Sequence, residues 1–345
     1  MNIEDINLKD NLINALTKNE SEITPAGSFP ATCMTELMEK DGVRFPTGHT
    51  DAEQMAKIAS SAYRYVGLES MVLPFDLGFE ADAIGCDVAL TDHDNSSSIT
   101  HAPFDSVEDF EMPDDYIHNA RFPALIEATG ILQEEYGDQD IPIVGAMSGP
   151  LTVLGQCLGI EGILKKLSKD YYVVEDALDA INDGLIEQIE LYNELGMDAI
   201  VLYEPNGTPE LVAPEIYEQL LIPFHEDLTA ATDIPIVLHI CGDTNAQIAN
   251  MMSAGYDGIS IADDVDINYA KKVREDIGAD TAICGNISTT DTLFMKTPKE
   301  VEEDVTEALE KGVDVLLPSC MIAPLSPSQN IRAIVETRNK FFENK

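Results

Sequence analysis

Three side chains in this sequence have the types and spacing to share one metal ion. His239 and Cys241 lie two residues apart in the apolar run 235–241, so on an extended strand they project to the same side. Cys320 closes a second apolar run, 315–320. Two thiolates and one imidazole suit zinc better than magnesium, calcium or manganese, and three protein ligands leave a fourth position open to substrate. A cysteine also serves as a small buried hydrophobe, and a histidine as a satisfied core residue. The arrival of all three at strand ends favours ligation. Cys284, inside the run 281–287, could compete as a ligand if that strand ends earlier. Cys33, Cys86 and Cys157 have no neighbouring histidine and are read as structural, and His49, His93, His101, His118 and His225 as surface or packing residues. Acids at two strand ends are catalytic candidates. Glu204 ends the run 199–204 and either faces the same site or contacts a loop or helix N-terminus. Asp263 and Asp264 follow the run 258–262; either could reach the metal when no substrate is bound, or both are exposed acids.

These residues need a frame that brings distant strand ends together. Eight short apolar runs, 24–29, 70–75, 141–147, 199–204, 235–241, 258–262, 281–287 and 315–320, alternate with segments of helical periodicity. Helix boundaries are marked: Asp51 with Gln54 opens one helix, Thr297 with Glu300 forms a capping box for another, and Gly196, Gly255 and Gly278 stand where helices should stop. Repeated strand–helix units without a linker predict an α/β fold, a single (β/α)8 TIM-type barrel over 1–345. It carries an N-terminal helical extension over 1–22, with the helix near 6–17, and a long insertion, 76–117, after the second strand. Two smaller domains are the alternative. In such a barrel the active site lies at the carboxyl ends of the strands, where His239, Cys241, Cys320 and Glu204 fall.

Composition narrows the partners. The chain has 63 acidic and 20 basic residues, a formal charge of -43, which repels phosphate backbones and anionic membranes. The acids are spread over presumed helix faces, as expected of a solvated surface adapted to concentrated salt, with an acidic docking surface as the alternative. No apolar stretch approaches bilayer length, the N-terminus lacks a signal-peptide pattern, and six cysteines are too sparse for a disulfide scaffold. A cytoplasmic protein is expected.

Several segments carry a family resemblance: VLPFDLGFEADAIGCDV at 72–88, VGAMSGPLTVLGQ at 144–156, PEIYEQLLIPFHEDL at 214–228, HICGDT at 239–244 and CGNISTTDTL at 284–293. With His-x-Cys and a distant C-terminal Cys, the chain resembles the methylcobalamin:coenzyme M methyltransferases of the uroporphyrinogen decarboxylase superfamily. The resemblance implies zinc on His239, Cys241 and Cys320, a methylated corrinoid (methylcobalamin on a carrier protein) as methyl donor, and coenzyme M as thiol acceptor. It also implies that an acid after the sixth strand fills the open zinc position until the thiol displaces it. Asp263 is the nearest counterpart, although the family's residue is a glutamate. Where the decarboxylases carry an arginine-rich segment for substrate carboxylates, this sequence has Pro25, Ala26, Gly27, Ser28, Phe29 and Pro30. Methyl transfer to another thiol, decarboxylation of a porphyrinogen, and a non-catalytic scaffold with structural zinc are the rival readings.

Overall fold

The computed structural model describes residues 6–343. The first five residues of the extension expected over 1–22 therefore lie outside the described residues. Among the described residues nine strands follow one another: β1 Met71–Leu73, β2 Asp87–Leu90, β3 Ser97–His101, β4 Ile143–Ser148, β5 Ala199–Tyr203, β6 Ile236–His239, β7 Gly258–Ser260, β8 Ala282–Ile287 and β9 Val315–Pro318. Seven of them form one sheet in the order β1-β4-β5-β6-β7-β8-β9, every neighbouring pair parallel. Sequential order, helical crossovers and a curled parallel sheet make the TIM-like fold that the alternation of runs predicts. β2 and β3 pair separately as an antiparallel hairpin within 76–117, after the short helix Phe79–Ile84.

The eighth expected strand, 24–29, is reduced to a single bridge between Ala26 and Leu316. Pro25 and Pro30 have no N–H to give a ladder. On the β9 side the backbone still pairs, Gly27 N–H to Leu316 C=O and Leu316 N–H to Pro25 C=O. Towards β1, side chains take over much of the pairing. Glu69 accepts from the Ala26 amide at 2.9 Å and Ser70 Oγ from the Ser28 amide at 2.8 Å. The segment thus spans the gap between the last strand and the first.

Strand periodicity divides the core in two. Val144, Ala146, Ala199, Val201, Val237, Ala282, Cys284, Val315 and Leu317 alternate inward and pack with Leu12, Ala15 and Leu16 of the helix Leu8–Leu16, which plugs the barrel's amino end. The intervening residues, such as Ile200, Leu202, Leu238, Ile259 and Ile283, face the surrounding helices. Gly258 is required at its inward position, because a Cβ there would meet Cys284 Sγ at 3.1 Å and Leu16 Cδ2 at 3.2 Å. The expected helix boundaries recur: Asp51 caps Ala52–Val66, and the Thr297–Glu300 capping box opens Pro298–Lys311. Among the described residues no helix is long and apolar enough to cross a membrane.

Candidate functional site

Inward alternation along β6 carries Val237 into the core and puts His239 one layer higher, at the carboxyl end. The strand stops there, so Cys241 lies beyond it on a turn released by Gly242 at φ 81°. Likewise β9 stops at Pro318, and Cys320 is carried by the following turn rather than by the strand. The two turns converge. His239 Nε2 lies 3.1 Å from Cys241 Sγ, and Cys241 Sγ 3.4 Å from Cys320 Sγ. The three ligand atoms lie within 4.8 Å of one another and are the one group found among the described residues that could hold a metal ion. A tetrahedral ion with metal–sulfur bonds of about 2.3 Å spaces its sulfurs by roughly 3.8 Å, so the thiols need separate only by a few tenths of an ångström.

Strand register supplies the next layer. Tyr203, His239 and Ser260 lie side by side on β5, β6 and β7. Ser260 Oγ is 3.0 Å from His239 Nδ1, so a proton held on Nδ1 is donated to the serine and Nε2 is left with its lone pair towards the sulfurs. The thiols behave as a pair. Their mutual hydrogen bond, with help from His239, holds Cys320 below the ordinary thiol range, and the same contact together with burial pushes Cys241 up. One proton of the pair therefore leaves more easily than the other.

Over the cluster sits a cavity of about 70 Å³, walled by Phe75, Leu77, Tyr203, Pro205 and Met321. Its carboxylate is Asp76. Although burial opposes ionisation, hydrogen bonding from His49 and the Arg121 guanidinium hold Asp76 well below the usual carboxylate range. Arg121 is committed in turn, to Asp76 at 2.5 Å and to Asp82 at 2.7 Å. The wall therefore presents a carboxylate already paired with a guanidinium, and Arg121 is no free cation.

The two acidic candidates fall elsewhere. Glu204 is fully buried and turns to the helix Pro150–Leu158, accepting from the Leu151 amide at 3.1 Å and from the Thr152 hydroxyl. It therefore meets a helix N-terminus, where a carboxylate is favoured, and His225 Nε2 lies 3.8 Å from it. Asp263 is exposed and lines a neighbouring cleft with Asp264, Asn286 and Ser288, outside the three-residue group. Cys284 lies in the barrel core beside Leu16 and Gly258, which burial explains. Of the histidines read as surface or packing residues, His49 and His225 are buried in polar networks, His49 with Asp76 and His225 with Tyr256 at 2.7 Å. Sequence reasoning missed Asp76, Arg121 and Ser260. Asp76 and Ser260 each fall at or just past a strand end, a signal that could have found them; Arg121 carried none.

The chain has full-length relatives among known proteins. The uroporphyrinogen decarboxylase (URO-D) family matches residues 7–341. A methylcobamide:CoM methyltransferase, MtaA of Methanosarcina barkeri, is 32% identical over 341 residues, covering 99% of this chain and 100% of that protein. The methylcobamide:CoM methyltransferase MtbA of Methanosarcina acetivorans is 32% identical, covering 96% and 98%. A solved methyltransferase from Methanosarcina mazei superposes with a TM-score of 0.93 at 32% identity, covering 97% of this chain and 99% of its own. Likeness that runs from one end of the described chain to the other places it in the uroporphyrinogen decarboxylase family, as a methyltransferase of the methylcobamide:CoM group.

Proposed function

We propose that the protein moves a methyl group from a methylated corrinoid to the thiol of coenzyme M, using zinc held by His239, Cys241 and Cys320. The observation that supports this most is the cluster itself, one imidazole and two sulfurs at hydrogen-bonding separations beneath a small apolar cavity. Zinc bound there would hold the acceptor as a thiolate, whose sulfur attacks the methyl carbon of methyl-cobalt(III), leaving cobalt(I) and a thioether. The protein's own part is positioning. Ser260 fixes the His239 tautomer and ring orientation, and two cysteine thiolates offset the ion's charge so that a third sulfur stays electron-rich. Phe75, Leu77, Tyr203 and Met321 keep water from the reacting sulfur. The guanidinium behind the wall, Arg121, is already held by Asp76 and Asp82, which leaves little to bind a porphyrinogen with many carboxylates.

Glu204 acts at a distance. By tying the β5 end to the helix Pro150–Leu158, it holds Tyr203 and Pro205 in the cavity wall. We assign to Asp263 the exchangeable fourth ligand between turnovers, which requires the turn at Asp263 and Asp264 to swing towards the cluster. An Asp263→Ala protein should then keep its metal and bind thiol at least as well; loss of metal would make Asp263 a permanent ligand and close the site. The function is tested by incubating the zinc-loaded protein with free methylcobalamin and coenzyme M, following cobalt(I) formation by absorbance and free thiol by titration. Thiol consumption equal to methylcobalamin loss supports the reading. No thiol loss, or equal loss with metal-free protein, would refute it.

A further inference from the structure

The antiparallel hairpin of β2 and β3 stands outside the barrel sheet, and none of the residues in its two strands is buried. Its turn, residues 91–96, nevertheless sends one side chain inward. The turn is organised by its own bonds. The Thr91 amide donates to Ser96 C=O at 3.2 Å, and the Asp94 carboxylate accepts from the Thr91 hydroxyl at 2.7 Å and from the Ser96 amide at 2.8 Å. Asp92, His93 and Ser96 are exposed, whereas Asn95 is only 4% exposed. A side-chain amide is costly to bury unless its hydrogen bonds are made. Here Nδ2 donates to Phe75 C=O at 2.6 Å and to Met321 Sδ at 2.8 Å.

Those two acceptors stand on opposite sides of the barrel's gap. Phe75 lies just past β1 and Met321 just past β9, the first and last strands of the sheet. The segment 24–29 spans that gap at the level of Leu316; Asn95 spans it again nearer the carboxyl end, from outside the barrel. Phe75 and Met321 are also walls of the cavity of about 70 Å³, and Met321 directly follows Cys320. Phe75 is buried, but Met321 is 39% exposed. An unbranched, flexible methionine at such a position turns outward unless something holds it.

We propose that Asn95 is a positioning residue for the acceptor: by holding Met321 and Phe75 together over the cavity it keeps the site short, and so selects thiols with a short chain between the sulfur and the anionic group. The proposal rests on the methyl-transfer reading above. Asn95 touches none of the three metal-binding side chains and acts through the wall. Without its two donors Met321 is released, and the space it leaves admits a longer chain. A single methylene in an apolar pocket changes discrimination by about tenfold or more.

The test supplies free methylcobalamin and two acceptors, coenzyme M and its homologue with one more methylene, to zinc-loaded wild type, Asn95→Ala, Asn95→Asp, Met321→Ala and the double variant Asn95→Ala/Met321→Ala. Asn95→Asp keeps the size of the side chain and loses the N–H donors. Wild type should favour coenzyme M by kcat/KM. Asn95→Ala, Asn95→Asp and Met321→Ala should each lower that preference by about tenfold, through a higher KM for coenzyme M at little-changed kcat. Calorimetry should show the same weakening of coenzyme M binding. Adding Asn95→Ala to Met321→Ala should lower the preference no further, since residues acting as one unit are not additive. Zinc content should stay at that of wild type, and both Asn95 variants should unfold close to the wild-type temperature, because the hairpin lies outside the core.

An unaltered preference in both Asn95 variants would overturn the proposal, and so would equal efficiency of wild type with the two thiols. A further tenfold drop in the double variant would overturn action through Met321. Loss of zinc, or a large fall in unfolding temperature, in both Asn95 variants would make Asn95 a support of the fold and refute its role in selection. A wild type that methylates neither thiol would instead overturn the reading on which the proposal rests.

Discussion

Two pairs of thiols lie almost equally close in this molecule, Cys241 with Cys320 at 3.4 Å and Cys86 with Cys157 at 3.7 Å. Their acid–base behaviour is alike. In each, the hydrogen bond between the sulfurs lowers one thiol and raises its partner, Cys86 being the lowered member of the second pair and Cys157 the raised one. Their surroundings are not alike. Cys86 follows the helix Phe79–Ile84 and meets Cys157 of the helix Pro150–Leu158 in the apolar layer outside the barrel, 3% and 2% exposed. Cys241 and Cys320 stand half-buried at the carboxyl end of the sheet, with His239 as third donor and a cavity above. Proximity of sulfur makes a proton-sharing pair; an imidazole and an open face make it a place for an ion.

The comparison breaks most visibly by substitution. Cys320→Ala or Cys241→Ala should abolish both metal retention and methyl transfer, whereas Cys157→Ala should keep one metal per chain; elemental analysis of the purified variants decides it. Full metal content in Cys320→Ala would erase the distinction between the pairs. A smaller change sharpens it. Ser260→Ala frees the His239 ring and should weaken metal binding by about 10–100-fold, as loss of such an outer partner does, measured by competition with a chelator. Ser260→Thr, which keeps the hydroxyl, should restore most of it. An unaltered affinity in Ser260→Ala would mean that packing alone orients the ring.

Burial without a charged partner can also be read on a carboxylate. Glu80, fully buried, is pushed up to about 7 by desolvation against the opposing hydrogen bond from Gln188. Asp76, four residues earlier, is also buried but meets Arg121 and stays ionised. The folded protein holds the Glu80 proton to higher pH than the unfolded chain, so stability falls as pH rises from about 4.5 to about 7. Glu80→Gln should remove that slope and raise stability at pH 8 by about 3 kcal/mol, read from denaturant unfolding at several pH values. An identical slope in the variant would place the titration elsewhere. The smallest effect belongs to the outer thiols. Cys157→Ala removes one buried sulfur and should cost about 1 kcal/mol of stability without altering transfer. In the metal-free protein at pH 7, an alkylating reagent should modify Cys241 or Cys320 and spare Cys86 and Cys157 until unfolding. Modification of all four at one rate would show the outer layer to be open.

The sequence by itself determined the repeating strand–helix order, because apolar runs of strand length between amphipathic segments admit few packings, and it singled out His239, Cys241 and Cys320, because each stands at or just past the end of such a run. It also marked helix boundaries at Asp51, Thr297 and Gly278, where local hydrogen bonding and backbone freedom suffice. What depended on long-range contact was decided only by the tertiary structure. The run 24–29 reads as a strand, yet its prolines leave it one bridge, completed by Glu69 and Ser70 from elsewhere in the chain. Glu204 stands at a strand end but turns to the Leu151 amide, a partner 53 residues away. Ser260 and Arg121 acquire their places only when register sets one beside His239 and folding sets the other against Asp76. Local periodicity is written in neighbouring residues; the partner of a buried polar group is chosen by the whole packed molecule, since only there does desolvation make each unpaired atom costly.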